Sequence, residues 1–238
     1  MFCYTPKVTL GDYVPKQTSL EDKFGGLPWG LPPERWPLCG ECGEPLTFLA
    51  QFSSHPQRFS LGKEGRVLFL FSCQDDCSTF DREAGANAVV IVDRDDLVAG
   101  LTAAPPSFDE SLMLAEARVV EWVQYEEPLP DEEKWKCYDR KAWAENEQAL
   151  NRQIVHRTKL GGFPSWIHRV HSHPQGYFFA GQYLTGPDDF VQSEEIVNAT
   201  DENNILRYLL RGIENGIGYL FINPDAVEPK GELIVDYY

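Results

Sequence analysis

Apolar residues in this chain gather in short runs broken by glycine, proline and acidic residues. The runs are rich in aromatic and β-branched side chains, which suit strands better than helices. On that pattern residues 45–52, 66–72, 88–93 and 117–125 read as strands, and 176–183, 217–222 and 232–237 read the same way further on. Two stretches carry helical spacing instead. Residues 131–157 follow Pro128 and Pro130, hold acidic residues in their first turn, and space Trp135, Tyr138 and Ala142 for one face. Residues 201–211 begin after Thr200 as an N-cap and present Ile205, Leu206, Leu209 and Leu210 before Gly212 and Gly216 end them.

The pattern is written twice. Lys23-Phe24-Gly25-Gly26-Leu27-Pro28-Trp29 returns as Lys159-Leu160-Gly161-Gly162-Phe163-Pro164-Ser165-Trp166. Each copy leads to an aromatic strand holding one glutamine, Gln51 or Gln182, and then to a glycine-led apolar run at 65–71 or 216–222. The Gly-Gly-x-Pro turns call for positive φ followed by a fixed bend, which folds Trp29 or Trp166 back onto the sheet. A glutamine buried in an apolar strand must be hydrogen-bonded, so Gln51 and Gln182 tie each copy's loop to its strand. We therefore divide the chain into a first repeat at 1–125, an acidic linker and helix at 126–158, and a second repeat at 159–238. Short strands mixed with helix predict an internally duplicated α+β fold, mostly antiparallel, with two main helices packed as one pseudo-twofold body.

Chemistry concentrates in the first copy. Cys39-Gly40-Glu41-Cys42 and Cys73-Gln74-Asp75-Asp76-Cys77 form two knuckles, the second directly after the strand at 66–72. Four thiolates from Cys39, Cys42, Cys73 and Cys77 would close a tetrahedral structural zinc site. Free thiols or a redox pair are the alternatives; the redox reading is weakened because the Cys-x-x-Cys does not lie at a strand-to-helix turn. Cys3 and Cys137 read as packing thiols. In the second copy the knuckle region holds His168, His171 and His173 and no cysteine, so it reads as metal-free. No nucleophile elbow, P-loop, dinucleotide fingerprint or zincin helix appears.

Composition narrows the partners. With 21 basic against 37 acidic residues the net charge is −16, which repels nucleic-acid phosphates and anionic lipid and attracts a basic protein. The apolar runs are too short to span a bilayer, and the first residues carry no signal-peptide pattern, so a cytoplasmic protein is expected.

The duplicated Lys-x-Gly-Gly-x-Pro, the glutamine strands and the stretch Val119-Val120-Glu121-Trp122-Val123-Gln124-Tyr125 resemble the YwqG-like family of bacterial domains of unknown function. The resemblance runs from about Lys23 to Ile222. The first half, with Gly-Gly-Leu-Pro-Trp, Cys39, Cys42, Gln51, 69–71, Cys73 and Cys77, is also similar to the zinc-binding half of the programmed-cell-death-two family. The first resemblance implies a duplicated fold with no established enzyme activity and a role as an immunity protein beside a toxin. The second implies escort of a basic ribosomal protein. Many relatives carry a second cysteine knuckle where this chain has the histidines at 168–173. The expected function is a non-catalytic protein-binding module: an immunity protein neutralising a cognate basic toxin, or a chaperone-like escort of a basic (ribosomal) protein. The remaining alternative is an enzyme with a site at the repeat seam built from His171, His173 and acidic loops.

Overall fold

The computed structural model describes residues 1–10, 15–172, 175–184, 191–192, 213, 216–226 and 228–238. Its strands are β1 (Phe2–Leu10), β2 (Lys23–Phe24), β3 (Thr47–Ser53), β4 (Val67–Ser72), β5 (Asn87–Val92) and β6 (Ala117–Glu126), then β7 (Lys159–Gly161), β8 (Phe178–Tyr183), β9 (Val191–Gln192), β10 (Gly216–Asn223) and β11 (Lys230–Tyr237). They join in one sheet of order β11-β10-β8-β7-β1-β6-β2-β3-β4-β5, with β9 added in parallel beside β1. All other pairings are antiparallel.

This corrects the expected α+β class with two main helices. The protein is a mostly antiparallel, nearly closed, barrel-like sheet with a single α-helix among the described residues, α1 (Arg140–Asn151). The expected helix at 131–157 shrinks because Asp139 is extended and its carboxylate accepts from Ala142 N at 2.8 Å, which makes it a new N-cap. Before it lies only a 3₁₀ turn, Lys134–Cys137. Trp135 and Tyr138 are exposed, and the buried face is Cys137, Ala142, Trp143 and Leu150. The expected helix at 201–211 lies outside the described residues, as do His173 and Gly212.

The strand order reads the same from either end. Exchanging β1 with β6, β2 with β7, β3 with β8, β4 with β10 and β5 with β11 returns the same sheet. The axis falls between β1 and β6, and β1 pairs with β7 while β6 pairs with β2. The leading strand of each set thus lies beside the second strand of the other set.

The repeated motif folds the same way twice. Gly25, Gly26, Gly161 and Gly162 all take positive φ, between 59° and 74°. Gln51 Oε1 accepts from Trp29 N at 2.7 Å while its Nε2 donates to Glu21 O at 2.7 Å. Gln182 makes the matching bonds with Ser165 N at 3.0 Å and Arg157 O at 3.0 Å. Trp166 is buried against Tyr219 and Phe221, whereas Trp29 is half-buried and bridges Leu101.

At β3, β4, β8 and β10 both faces of the sheet are covered, which is why β4 and β10 are continuous apolar runs rather than alternating ones. Leu68, Leu70, Leu220, Ile222, Leu233 and Val235 face a central core shared by the two halves. Phe69 and Phe71 face outward into a second cluster with Trp36, Cys39 and Cys73. Tyr219 and Phe221 face outward into a third, capped by Trp143, Leu150 and Trp166. Knuckles close one outer core and α1 closes the other. Among the described residues no helix is long and apolar enough to cross a membrane.

Candidate metal centre

The first knuckle is a tight turn leading into β3. Leu38 bridges Pro45, Cys39 N donates to Glu44 O at 2.8 Å, and Gly43 N returns to Cys39 O at 2.9 Å. Gly40 permits close approach to the second loop: a Cβ there would sit 2.5 Å from Ala84 O, and its own N–H donates to Gly85 O at 3.0 Å. The second knuckle leaves the end of β4, where Thr47 of β3 pairs with Ser72 of β4. The β3–β4 ladder therefore brings the two knuckles together at one end of the sheet.

The four expected ligands converge. The sulfur atoms of Cys39, Cys42, Cys73 and Cys77 all lie within 4.8 Å of one another, and Cys42 Sγ is 4.0 Å from Cys73 Sγ. A tetrahedron with metal–sulfur bonds of ~2.3 Å has sulfur–sulfur edges of ~3.8 Å, so the set fits a four-thiolate metal ion. Cys39 and Cys73 are buried in the outer core, Cys77 is half-buried and Cys42 is exposed. Burial pushes the Cys73 thiol up to about 11. At Cys39 burial also raises the thiol, but hydrogen bonds from the backbone N–H groups of Cys42 and Glu41 and from the Cys42 and Cys77 thiols together outweigh it, and the net shift is downward. Those N–H groups face the sulfur as they would in a thiolate knuckle. Among the described residues this is the one cluster of three or more cysteine, histidine or acidic side chains placed to hold a metal.

The corresponding region of the second copy is built differently. His171 Nε2 lies 3.0 Å from Asp236 Oδ2, with its ring against Trp166 and Tyr219. His168 Nε2 lies 2.6 Å from Tyr237 O. Both imidazoles fasten their loop to β11, and among the described residues they belong to no cluster of three or more metal-binding side chains. Cys3 and Cys137 are fully buried and stand far from the knuckles in the fold, beside Glu127 and Lys159.

The lysine that heads each repeat is the feature the sequence reading passed over. Lys23 and Lys159 are both fully buried. Lys23 Nζ donates to Glu116 Oε2 at 2.7 Å and Gln17 Oε1 at 2.9 Å; Lys159 Nζ donates to Glu127 Oε1 at 2.5 Å. Glu127 is wholly buried and also accepts from Val155 N at 2.8 Å and Phe163 N at 2.7 Å. The pairing Phe24↔Ala117 matches Leu160↔Tyr4, so Cys3 occupies the place of Glu116. A Cβ at Gly26 would be 3.1 Å from Glu116 Cβ, and one at Gly162 would be 2.8 Å from Cys3 Cβ, which agrees. In the second half the carboxylate has moved to Glu127, and a neutral thiol, pushed up to about 12 by burial and then by the Glu127 charge, fills the old position. The repetition of a lysine before Gly-Gly was the available signal.

No protein-family model matches the chain, and no curated protein matches it.

Proposed function

We propose that the protein is a non-catalytic, cytoplasmic protein-binding module built on one structural zinc ion, and that it holds a basic protein: an immunity protein neutralising a cognate basic toxin. The observation that carries this reading is the four-cysteine centre. Four thiolates complete a tetrahedral shell and leave no position for water or substrate, so such an ion stabilises rather than catalyses. Short-spaced soft thiolates in this geometry favour zinc among the divalent metals available to a cell. The net charge of −16 supports a basic partner and disfavours nucleic acid and anionic membrane. The resemblance to YwqG-like domains supports the immunity role.

The second reading, escort of a basic ribosomal protein, is favoured by the two-knuckle first half and its resemblance to the programmed-cell-death-two family. The enzyme alternative loses support because His168 and His171 are engaged with β11. The test is affinity capture from the native host, identification of the bound protein, and measurement of its affinity at about 50 and 300 mM salt. A folded toxin bound more weakly at high salt supports the first reading, and a nascent ribosomal protein supports the second. Salt-independent binding, or only neutral and acidic partners, overturns both.

A further inference from the structure

The sheet is almost a barrel, and the place where it fails to close is specific. Its two ends, β5 and β11, share no backbone ladder. They meet through side chains: Val89 packs where a Cβ on Gly231 would stand, its own Cβ only 2.8 Å from that point. One end of this seam is tied by Arg66 Nη1, which donates to Pro224 O at 3.1 Å. The other end is tied by the loop that carries the second knuckle. Arg82 makes a two-pronged ion pair with Glu232 of β11, at 2.6 and 2.7 Å, and its third nitrogen donates to Ser172 O at 2.8 Å. Thr79 Oγ1 is hydrogen-bonded to Tyr237 OH, and Asn87 Nδ2 donates to Thr79 O at 2.6 Å.

Between its base and its contacts with β11, that loop has few ties beside the four sulfurs. Cys73 N closes its base on Ala86 O at 2.7 Å, and the hydrogen bonds inside it are local turns, such as Thr79 N to Cys77 O and Ala84 N to Asp81 O. Phe80, its one large apolar side chain, is 65% exposed and gives it little burial. Asp75, Asp76, Asp81 and Glu83 along it are exposed. Its ties to the first knuckle are Ser78 N to Glu41 Oε2 at 2.8 Å, the Gly40–Gly85 bond, and the four sulfurs.

We infer that the metal centre is the latch of the barrel. Bound metal fixes residues 73–86 so that Arg82 and Thr79 clamp β11, and with it the histidine-bearing segment up to Ser172, in the other half of the chain. Loss of metal frees the loop, and the seam between β5 and β11 opens while the central pair β1–β6 stays folded. This rests on the zinc reading above, and the experiment separates the two.

Metal content is measured by plasma mass spectrometry on protein incubated with zinc. Hydrogen exchange is then followed by mass spectrometry for zinc-loaded protein, chelator-stripped protein, and zinc-loaded Arg82→Ala and Glu232→Gln variants. Stripping should speed exchange of 230–237 about tenfold or more, and also speed it around 168–172, with β1 and β6 unchanged. Arg82→Ala and Glu232→Gln should speed exchange in 230–237 about threefold while the protein keeps its zinc. If exchange changes only at 38–46 and 73–86, if stripping unfolds every segment together, or if neither variant moves β11, the latch is wrong. If the protein takes up no zinc, the metal reading itself fails.

Discussion

Replacing Glu127 by alanine tests the buried ion pair at the head of the second repeat. Its carboxylate is fully buried and serves three donors: Lys159 Nζ at 2.5 Å, Phe163 N at 2.7 Å and Val155 N at 2.8 Å. Truncation leaves the Lys159 ammonium without a counter-charge at a fully buried site. Removing one partner of a buried pair costs about 3–5 kcal/mol. Each orphaned N–H adds about 1 kcal/mol or more, less what a water in the vacated space returns. We expect a loss of about 4–6 kcal/mol. Glu116 is the internal control: it pairs with Lys23, but its side chain is 26% exposed, and Gln17 Oε1 also accepts from that lysine. Glu116→Ala should cost only about 1–2 kcal/mol. The assay is urea unfolding of zinc-loaded protein, with stability read from midpoint and slope. In a chain of this size the Glu127 variant should melt about 8 °C or more below the parent. The double variant Glu127→Gln/Lys159→Met, which buries no charge and keeps an acceptor, should regain at least half the loss. Equal losses at Glu116 and Glu127, or no recovery in the double variant, would refute the reasoning.

Three further outcomes are expected. Gly162→Ala should cost more than about 3 kcal/mol, since φ is +70° and the new methyl would meet the Glu127 carboxylate and Cys3; Gly43→Ala, at φ +77° in open space, should cost only the backbone strain of about 1–2 kcal/mol in the same urea assay. Asp93 is held below the usual carboxylate range by hydrogen bonds from Lys63 and then Arg66. Its folded pKa is lower than its unfolded one, so its stabilisation is complete above pH about 4 and is lost as pH falls through the folded value; Asp93→Asn should flatten the stability–pH curve on that acid limb. Cys39→Ser or Cys73→Ser should lower zinc from about one per chain towards zero, with a marked fall in unfolding midpoint read by circular dichroism.

Strands rich in Phe, Leu, Val and Ile were legible where both faces of the sheet are buried: residues 66–72 and 217–222 were placed within a residue or two of β4 and β10. The ligand set was legible because the spacing of two knuckles around paired strands dictates convergence. The first strand was not, because Pro6 lies within it. Its missing N–H is tolerated there: β1 pairs with β7 only at Cys3 and Tyr4 and with β9 only at Lys7 and Val8, so Pro6 falls between the two contacts. The helix at 131–157 was overread because three-residue aromatic spacing at Trp135 and Tyr138 imitates an amphipathic face, while Asp139 restarts the chain as a cap. The burial of Lys23 and Lys159 was not legible, since it depends on a carboxylate that arrives from a distant part of the chain. Arg82, too, depends on tertiary contacts that no local pattern announces.

The crossing of leading strands has a consequence for how the chain acquires its shape. Cys3 of β1 pairs with Tyr125 of β6 and with Gly161 of β7, so the first strand made is among the last to be completed. At about 5–20 residues per second, a ribosome takes about 8–30 s to supply both neighbours. Before β6 is made, β2, β3, β4 and β5 can form a meander while β1 has no ladder to join; β6 then pairs with it along its length, and its other edge stays open until β7 follows. Pairings this distant in sequence slow folding and leave an apolar strand edge open. The symmetry of the finished sheet therefore hides an unequal history, in which β1 waits for β6 and then keeps one edge open until β7 arrives.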